Sequence, residues 1–138
     1  MKLVLDTGIL ISALITKGTP PDLLYQAWRE NKFELLTSDA QIAEFLRVSQ
    51  YPKLKRYLKP IEAQQLVAGL QSQAEVLLSI PEVSYSPDPD DNKIIAIGIV
   101  GKTDYIISGD KRHMLSLDTV ENIPIIAARK AVEILHLP

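Results

Sequence analysis

The sequence contains no cysteine, which excludes disulfides and any thiolate metal site and suits a reducing compartment such as the cytoplasm. Its only histidines, His113 and His136, cannot make a His-rich cluster, and this argues against zinc. No apolar run approaches the ~20 residues needed to cross a bilayer, so no membrane association is expected. The only early candidate for a signal-peptide core is Ile9 to Ile15. Asp6 precedes it and no small-residue cleavage site follows, so it reads as a helix of the mature protein. General basicity is also missing. At a net charge of −2, any attraction for nucleic acid must come from local Lys/Arg groups or bound cations. There is no repeat, linker or low-complexity tract. With 46% hydrophobic and 23% charged residues, the chain has the makings of one globular domain spanning residues 1–138 rather than a disordered segment.

What is present is an alternation of short apolar strands and helices. Leu3-Val-Leu5 shows no period-2 alternation, as expected for a strand covered on both faces, and it ends at Asp6. Thr7 to Ile15 reads as a buried helix. Thr19-Pro-Pro-Asp22 reads as a helix start with Thr19 capping and Pro20 at the first helical position, and Leu23, Leu24, Ala27 and Trp28 form its inner stripe. Phe33 to Thr37 is a strand. Ser38-Asp-Ala-Gln41 has capping-box spacing for a helix running to about Gln50, with Ile42, Phe45, Leu46 and Ser49 on its inner side.

Pro52 breaks the chain before a short basic helix, Lys53 to Lys59, and Pro60 opens a longer one to about Gln73. Glu75 to Ile80 reads as a strand, Pro81 to Pro87 as a loop, and Lys93 to Val100 as a helix too apolar for the surface, ended by Gly101. Asp104 to Ser108 and Ile123 to Ile126 are further strands, with a short helical turn after Asp110 and a closing helix from Ala127 to Leu135. This order predicts an α/β fold, a three-layer α/β/α arrangement around a mainly parallel sheet of four to five strands.

On that reading Asp6 and Asp110 lie just past the carboxyl ends of strands, where open α/β sheets bind ligands. Asp90 and Asp91 open a helix facing the same edge, and Glu44 lies near the start of another. Each has an ordinary structural reading. Asp6 and Asp110 could form turns or caps, Asp88, Asp90 and Asp91 could cap a helix, and Glu44 points nearly opposite its helix's apolar stripe. Their joint placement is what suggests chemistry. Carboxylates drawn together repel and hold protons unless a cation neutralises them. A hard divalent ion such as Mg²⁺, bound by oxygens at about 2.0–2.1 Å, does this and can act on a phosphodiester.

Asp6-Thr7 after an apolar strand, Glu44 before Phe-Leu, Asp91 before Ile94-Ile-Ala96, and Ser108-Gly-Asp110 after a strand resemble the PIN-domain order. The stretches Asp88-Pro-Asp-Asp-Asn-Lys93 and Asp104-Tyr-Ile-Ile-Ser-Gly-Asp110 look most like PIN-family toxins of toxin–antitoxin systems, relatives of the VapC toxins. The resemblance covers essentially the whole chain. It implies an endoribonuclease dependent on Mg²⁺ or Mn²⁺, with Asp6, Glu44, Asp91 and Asp110 as the acidic cluster, and it implies a homodimer with a possible antitoxin partner. Gly8 departs from the pattern, where Asn or Ser often follows the Asp-Thr pair, and Asp90 beside Asp91 leaves the third ligand open by one residue. Thr7, Asp90, Asn92 and Ser108 would support the cluster. Lys53, Lys55, Arg56, Lys111 and Arg112 would contact the RNA backbone, and Tyr51 or Tyr57 would stack on bases.

Two rival readings remain at this level. One is phosphatase-type phosphoryl hydrolysis on the same acids, although an Asp-x-Asp motif would need an acid where Gly8 stands. The other is a PIN-like protein that binds a partner without catalysis.

Overall fold

A computed structural model describes all residues 1–138. The chain runs β1 (Lys2–Leu5), α1 (Thr7–Ile15), α2 (Pro20–Arg29), β2 (Glu34–Ser38), α3 (Asp39–Ser49), α4 (Pro52–Lys55), α5 (Pro60–Ser72), β3 (Glu75–Leu77), α6 (Pro89–Gly101), β4 (Tyr105–Ile107), a 3₁₀ turn (Leu115–Leu117), β5 (Thr119–Val120), β6 (Ile123–Ile126) and α7 (Ala128–Ile134). The strands form one six-stranded sheet in the order β3-β2-β1-β4-β6-β5. Every pairing is parallel except β5 with β6.

Period-2 alternation divides the core into two layers. Leu3, Leu5, Leu35 and Ile107 face the layer built from α1, α2, α3, α5 and α7, where Leu10, Trp28, Phe45, Leu66, Leu70 and Ala131 are buried. Val4, Leu36 and Ile106 face the other way, against Ile94, Ile95 and Ile97 of α6. The fold is therefore the expected α/β/α sandwich, with β1 covered on both faces.

The strand order sets the position of the functional edge. From β1 the chain builds outward through β2 and β3, then crosses to the other face along α6 and returns as β4 on the opposite side of β1. The β1–β4 junction is thus a point where the winding reverses, the position at which open α/β sheets bind ligands in a crevice beyond the carboxyl ends of their strands. The register Leu5↔Ile107 puts Asp6 and Ser108 next to one another at its floor.

Several local expectations are revised. The sixth strand, β5, is two residues long and joins β6 through Glu121 and Asn122, both at positive φ (51° and 67°). That is the geometry of a tight primed hairpin turn, made here without the glycine that usually signals it. The strand after α5 stops at Leu77, and the basic helix is only Pro52–Lys55, with Pro52 opening it rather than breaking the chain. Leu46, assigned to the inner stripe of α3, is 47% exposed, while Gln41 takes an inner place. Thr19 stands at the N-cap of α2 but its hydroxyl donates to Thr16 O, and Asp22 accepts from Gly18 N instead.

Gly101 is the last residue of α6, and the left-handed conformation falls on Lys102 (φ 50°). Glycine is required at 101 for close packing, because a Cβ there would run into Leu36 Cδ2. At Gly98 a Cβ would stand 2.7 Å from the Cδ1 of the fully buried Ile106. Helix propensity alone makes Gly98→Ala stabilising by about 1 kcal/mol. Overpacking costs about 1–3 kcal/mol, so thermal melts are expected to show a net loss. A raised melting temperature would show that Ile106 yields.

Candidate active site

Asp6 leaves β1 as the first turn of α1 begins, its main-chain N–H still tied to Ile107 O (2.9 Å). Its Oδ2 accepts a hydrogen bond from Ser108 Oγ at 2.8 Å. Ser108 is fully buried, and the same Oγ accepts from the Asp110 main-chain N–H at 3.1 Å, so one hydroxyl links the acids at the ends of β1 and β4. Asp110 closes a helical turn, with Oδ1 accepting from the N–H groups of Arg112 and His113 at 3.0 Å each. The capping reading of Asp110 therefore holds for one oxygen, while Oδ2 lies 3.7 Å from His113 Nδ1.

Asp91 enters from the opposite layer. Asp88 caps α6 by accepting from Asp90 N (2.9 Å), and Pro89 takes the first helical position. Asp91 then falls one and two turns of side-chain spacing from the buried Ile94, Ile95 and Gly98, and it is itself buried. Its Oδ2 accepts from Ser86 Oγ (2.9 Å). Asp90 turns away to pair with Arg47 at 3.0 Å and Lys93 at 3.9 Å. The sequence leaves Asp90 and Asp91 open as alternatives; in the fold Asp91 faces Asp110 and Asp90 does not. Asn92 faces neither. Its Oδ1 accepts from Tyr85 N and Ser86 N and its Nδ2 donates to Ser86 O, which braces the loop carrying the Ser86 hydroxyl.

Glu44 reaches the crevice through α1. Thr7, buried, donates to Glu44 Oε1 at 2.5 Å. The outward pointing deduced from the wheel of α3 stands, but that side of α3 lines the cleft beside Asp6 rather than open solvent. Gln41, which spacing assigned only to a capping box, does more. Its N–H is capped by Ser38 Oγ, and its buried side chain donates to Leu5 O (2.6 Å) and accepts from Thr37 Oγ1 (2.6 Å), bracing the end of β1.

The electrostatics follow from burial and crowding. Burial pushes the Asp6 carboxyl from its ordinary 3.8 up to about 6, aided by the charges of Asp91 and Asp110 and opposed by the Ser108 hydrogen bond. Burial also raises Asp91, against the Ser86 hydrogen bond, and raises Glu44, against the Thr7 hydrogen bond, with Asp90 and Asp6 adding to the rise at Glu44. Asp6 thus lies within electrostatic reach of both other aspartates. One oxygen of Asp91, one of Asp110 and a ring nitrogen of His113 all lie within 4.8 Å of one another. Two donors on opposite sides of an octahedral ion with 2.1 Å bonds are about 4.2 Å apart, so small side-chain movements would let these three share a divalent cation. The donor set, mainly hard oxygens short of positive charge, fits such an ion.

Among the basic candidates, Lys111 and Arg112 are exposed directly after Asp110, and Lys53, Lys55 and Arg56 are exposed on and just after α4. None of the five makes an ion pair. Arg56 lies over the Tyr57 ring at 6.0 Å, and Tyr51 and Tyr57 are both exposed. The residues that reasoning from sequence overlooked are Gln41, Ser86 and His113. Of these only His113 carried a signal, its i,i+3 spacing from Asp110 on a predicted helical turn.

A family model described as PIN domain matches residues 2–112 of the chain. An uncharacterized protein of Methanocaldococcus jannaschii is 31% identical over 113 residues, covering 80% of this chain and 72% of that protein.

Proposed function

Since the chain belongs to the PIN domain family, whose members are generally nucleases, we propose that it is a divalent-metal-dependent endoribonuclease and the toxin component of a toxin–antitoxin pair. What supports this reading is that Asp91, Asp110 and His113 offer donor atoms within 4.8 Å of one another, while Asp6, linked to Asp110 through Ser108, feels the charges of both aspartates and has its carboxyl pushed up to about 6. A site that buries Asp6 and Asp91 at such cost, and pairs no lysine or arginine with them or with Asp110, is built for a cation.

In this reading Asp6, Asp91 and Asp110 hold Mg²⁺ or Mn²⁺, with Glu44 completing the negative cluster through its tie to Thr7. When bound, such an ion supplies polarisation of the phosphate and a lowered pKa for the attacking water. Ser108 orients the Asp6 carboxylate, Ser86 orients that of Asp91, and the main-chain N–H groups of Arg112 and His113 orient that of Asp110. Each second oxygen is left for other partners. Lys111 and Arg112, next to Asp110, are placed to take neighbouring RNA phosphates. Lys53, Lys55 and Arg56 extend the cationic surface, and Tyr51 and Tyr57 offer faces for base stacking. The apolar side chains of Leu46, Tyr51, Tyr57 and Ile61 stand exposed around α4, which supports a protein-contacting face there for a second copy or an antitoxin. No helix is long and apolar enough to cross a membrane.

The test is a Mn²⁺ and Mg²⁺ titration with a structured RNA, comparing the native chain with Asp6→Asn and Asp110→Asn. Metal-dependent cleavage is expected, lost by more than about 100-fold in both variants, beyond what removal of an outer hydrogen-bond partner typically costs. Equal cleavage by all three proteins would mark a contaminant and end the assignment. Hydrolysis of a phosphomonoester in place of RNA would favour phosphatase chemistry. Growth arrest on expression, relieved by Asp6→Asn, is the corresponding test of the toxin role.

A further inference from the structure

His113 stands apart from the four acids as a nitrogen donor at the same crevice. Its ring nitrogen lies within 4.8 Å of carboxylate oxygens of both Asp91, on α6, and Asp110, on the loop after β4. The turn that carries it is pinned to Asp110 by the Arg112 and His113 N–H groups, both on Oδ1. That pinning turns Oδ2 of Asp110 and Nδ1 of His113 toward each other at 3.7 Å. This is too long for a hydrogen bond. It is close to the roughly 3 Å edge between neighbouring donors on one octahedral ion with 2.1 Å bonds.

We propose that His113 is a ligand of the catalytic cation and sets its identity, making the site selective for Mn²⁺ over Mg²⁺. The proposal deepens the nuclease reading and rests on it. The reasoning is coordination chemistry. Mg²⁺ is bound almost wholly by oxygen and keeps its waters, so an imidazole adds little to its affinity. First-row divalent metals accept an imidazole donor more readily than Mg²⁺ does, and Mn²⁺ shares with Mg²⁺ the preference for carboxylate and water. A centre in which one imidazole joins the carboxylates of Asp6, Asp91 and Asp110 therefore favours Mn²⁺, where a carboxylate-only centre would leave the two ions close. The ordinary alternative is that His113 merely neutralises Asp110 as an i,i+3 surface pair. Such an exposed pair contributes little and needs a protonated ring. It makes no demand on Asp91, whose oxygen is also within reach.

The experiment is direct metal binding by the full chain, with Mn²⁺ alone and Mg²⁺ alone, for the native protein, His113→Ala and His113→Asn. Pulsed EPR on the Mn²⁺-bound native protein is expected to show hyperfine coupling to a directly bonded nitrogen. The coupling should scale with the ratio of the nuclear gyromagnetic ratios on ¹⁵N-histidine labelling and be absent from both variants. Mn²⁺ affinity should fall about tenfold in the variants while Mg²⁺ affinity changes by less than about threefold. The histidine side chain is 39% exposed, so both variants are expected to fold, and their circular dichroism melts check this. Mn²⁺ bound without nitrogen coupling, or a Mn²⁺/Mg²⁺ ratio unchanged in the variants, overturns the assignment of His113 and leaves the nuclease reading standing. A native protein that binds neither ion overturns both.

Discussion

Asp6→Asn is expected to make the metal-free protein more stable at neutral pH even as it removes cleavage. Folding raises the Asp6 carboxyl from 3.8 to about 6, so the native state resists ionisation that the unfolded chain accepts. Between those two values the native state binds more protons than the unfolded one, and stability falls as pH rises. Above about pH 6 the full penalty is present, an upper figure of roughly 3 kcal/mol at ~1.4 kcal/mol per pKa unit. Below pH 3.8 it is absent. Asparagine keeps the shape and can still meet Ser108 Oγ, but it carries no charge. In a chain of this length the gain corresponds to a melting temperature higher by roughly 5–10 °C at pH 7.5, vanishing toward pH 4. Saturating Mn²⁺ should raise the melting point of the native chain and leave that of the variant nearly unmoved. An Asp6→Asn protein that melts below the native one at pH 7.5 without metal would mean that the carboxylate is not held under electrostatic strain.

The opposition between stability and activity explains which parts of this protein could be read in advance. The sheet was legible because Leu3-Val-Leu5, Tyr105-Ile-Ile107 and Ile123 to Ile126 are short apolar runs whose burial leaves little choice of structure. The β5 strand was not, since two residues carry no period and the Glu121-Asn122 turn takes positive φ without glycine. The acids were legible as a set by their position at strand ends and helix starts. Their individual orientations were not, because these depend on phase. Asp88 and Pro89 fix where α6 begins, and that start sends Asp91 inward above Ile94 and Ile95 and leaves Asp90 beside Lys93. The apolar spacing that separates the two acids was present in the sequence, but it resolves them only once the first helical residue is known. Glu44 shows the complementary limit. A helical wheel gives its direction, while only tertiary packing reveals that α1, with Thr7, lies on that side. The Gln41 contact with Leu5 joins segments far apart in sequence, and the Ser86 and Asn92 contacts tie a loop without period to the start of α6, so no local pattern announces them.

Ser108→Ala is expected to cost both stability and activity, the reverse of Asp6→Asn on the first count. The Ser108 hydroxyl is the only side-chain donor to the Asp6 carboxylate and the acceptor for the Asp110 N–H, and the residue is fully buried. Its removal leaves a buried carboxylate without its donor and an N–H without its acceptor. The expected loss is about 1–3 kcal/mol at pH 8. Losing a hydrogen bond that favours the charged form raises Asp6 further, so part of this cost should disappear at pH 5, where Asp6 is protonated in either protein. Cleavage should fall by roughly 10–100-fold, the usual effect of losing the partner that orients a metal-holding carboxylate. The rising limb of the pH–rate profile should move to higher pH, since protons compete with the cation for a more basic Asp6. Adding excess Mn²⁺ should recover part of the activity of Ser108→Ala and none of that of Asp6→Asn. That contrast separates a residue that positions the carboxylate from the carboxylate itself. A Ser108→Ala protein with native rates and an unshifted pH profile would show that Asp6 needs no such support, and the hydroxyl bridge between β1 and β4 would then matter for folding alone.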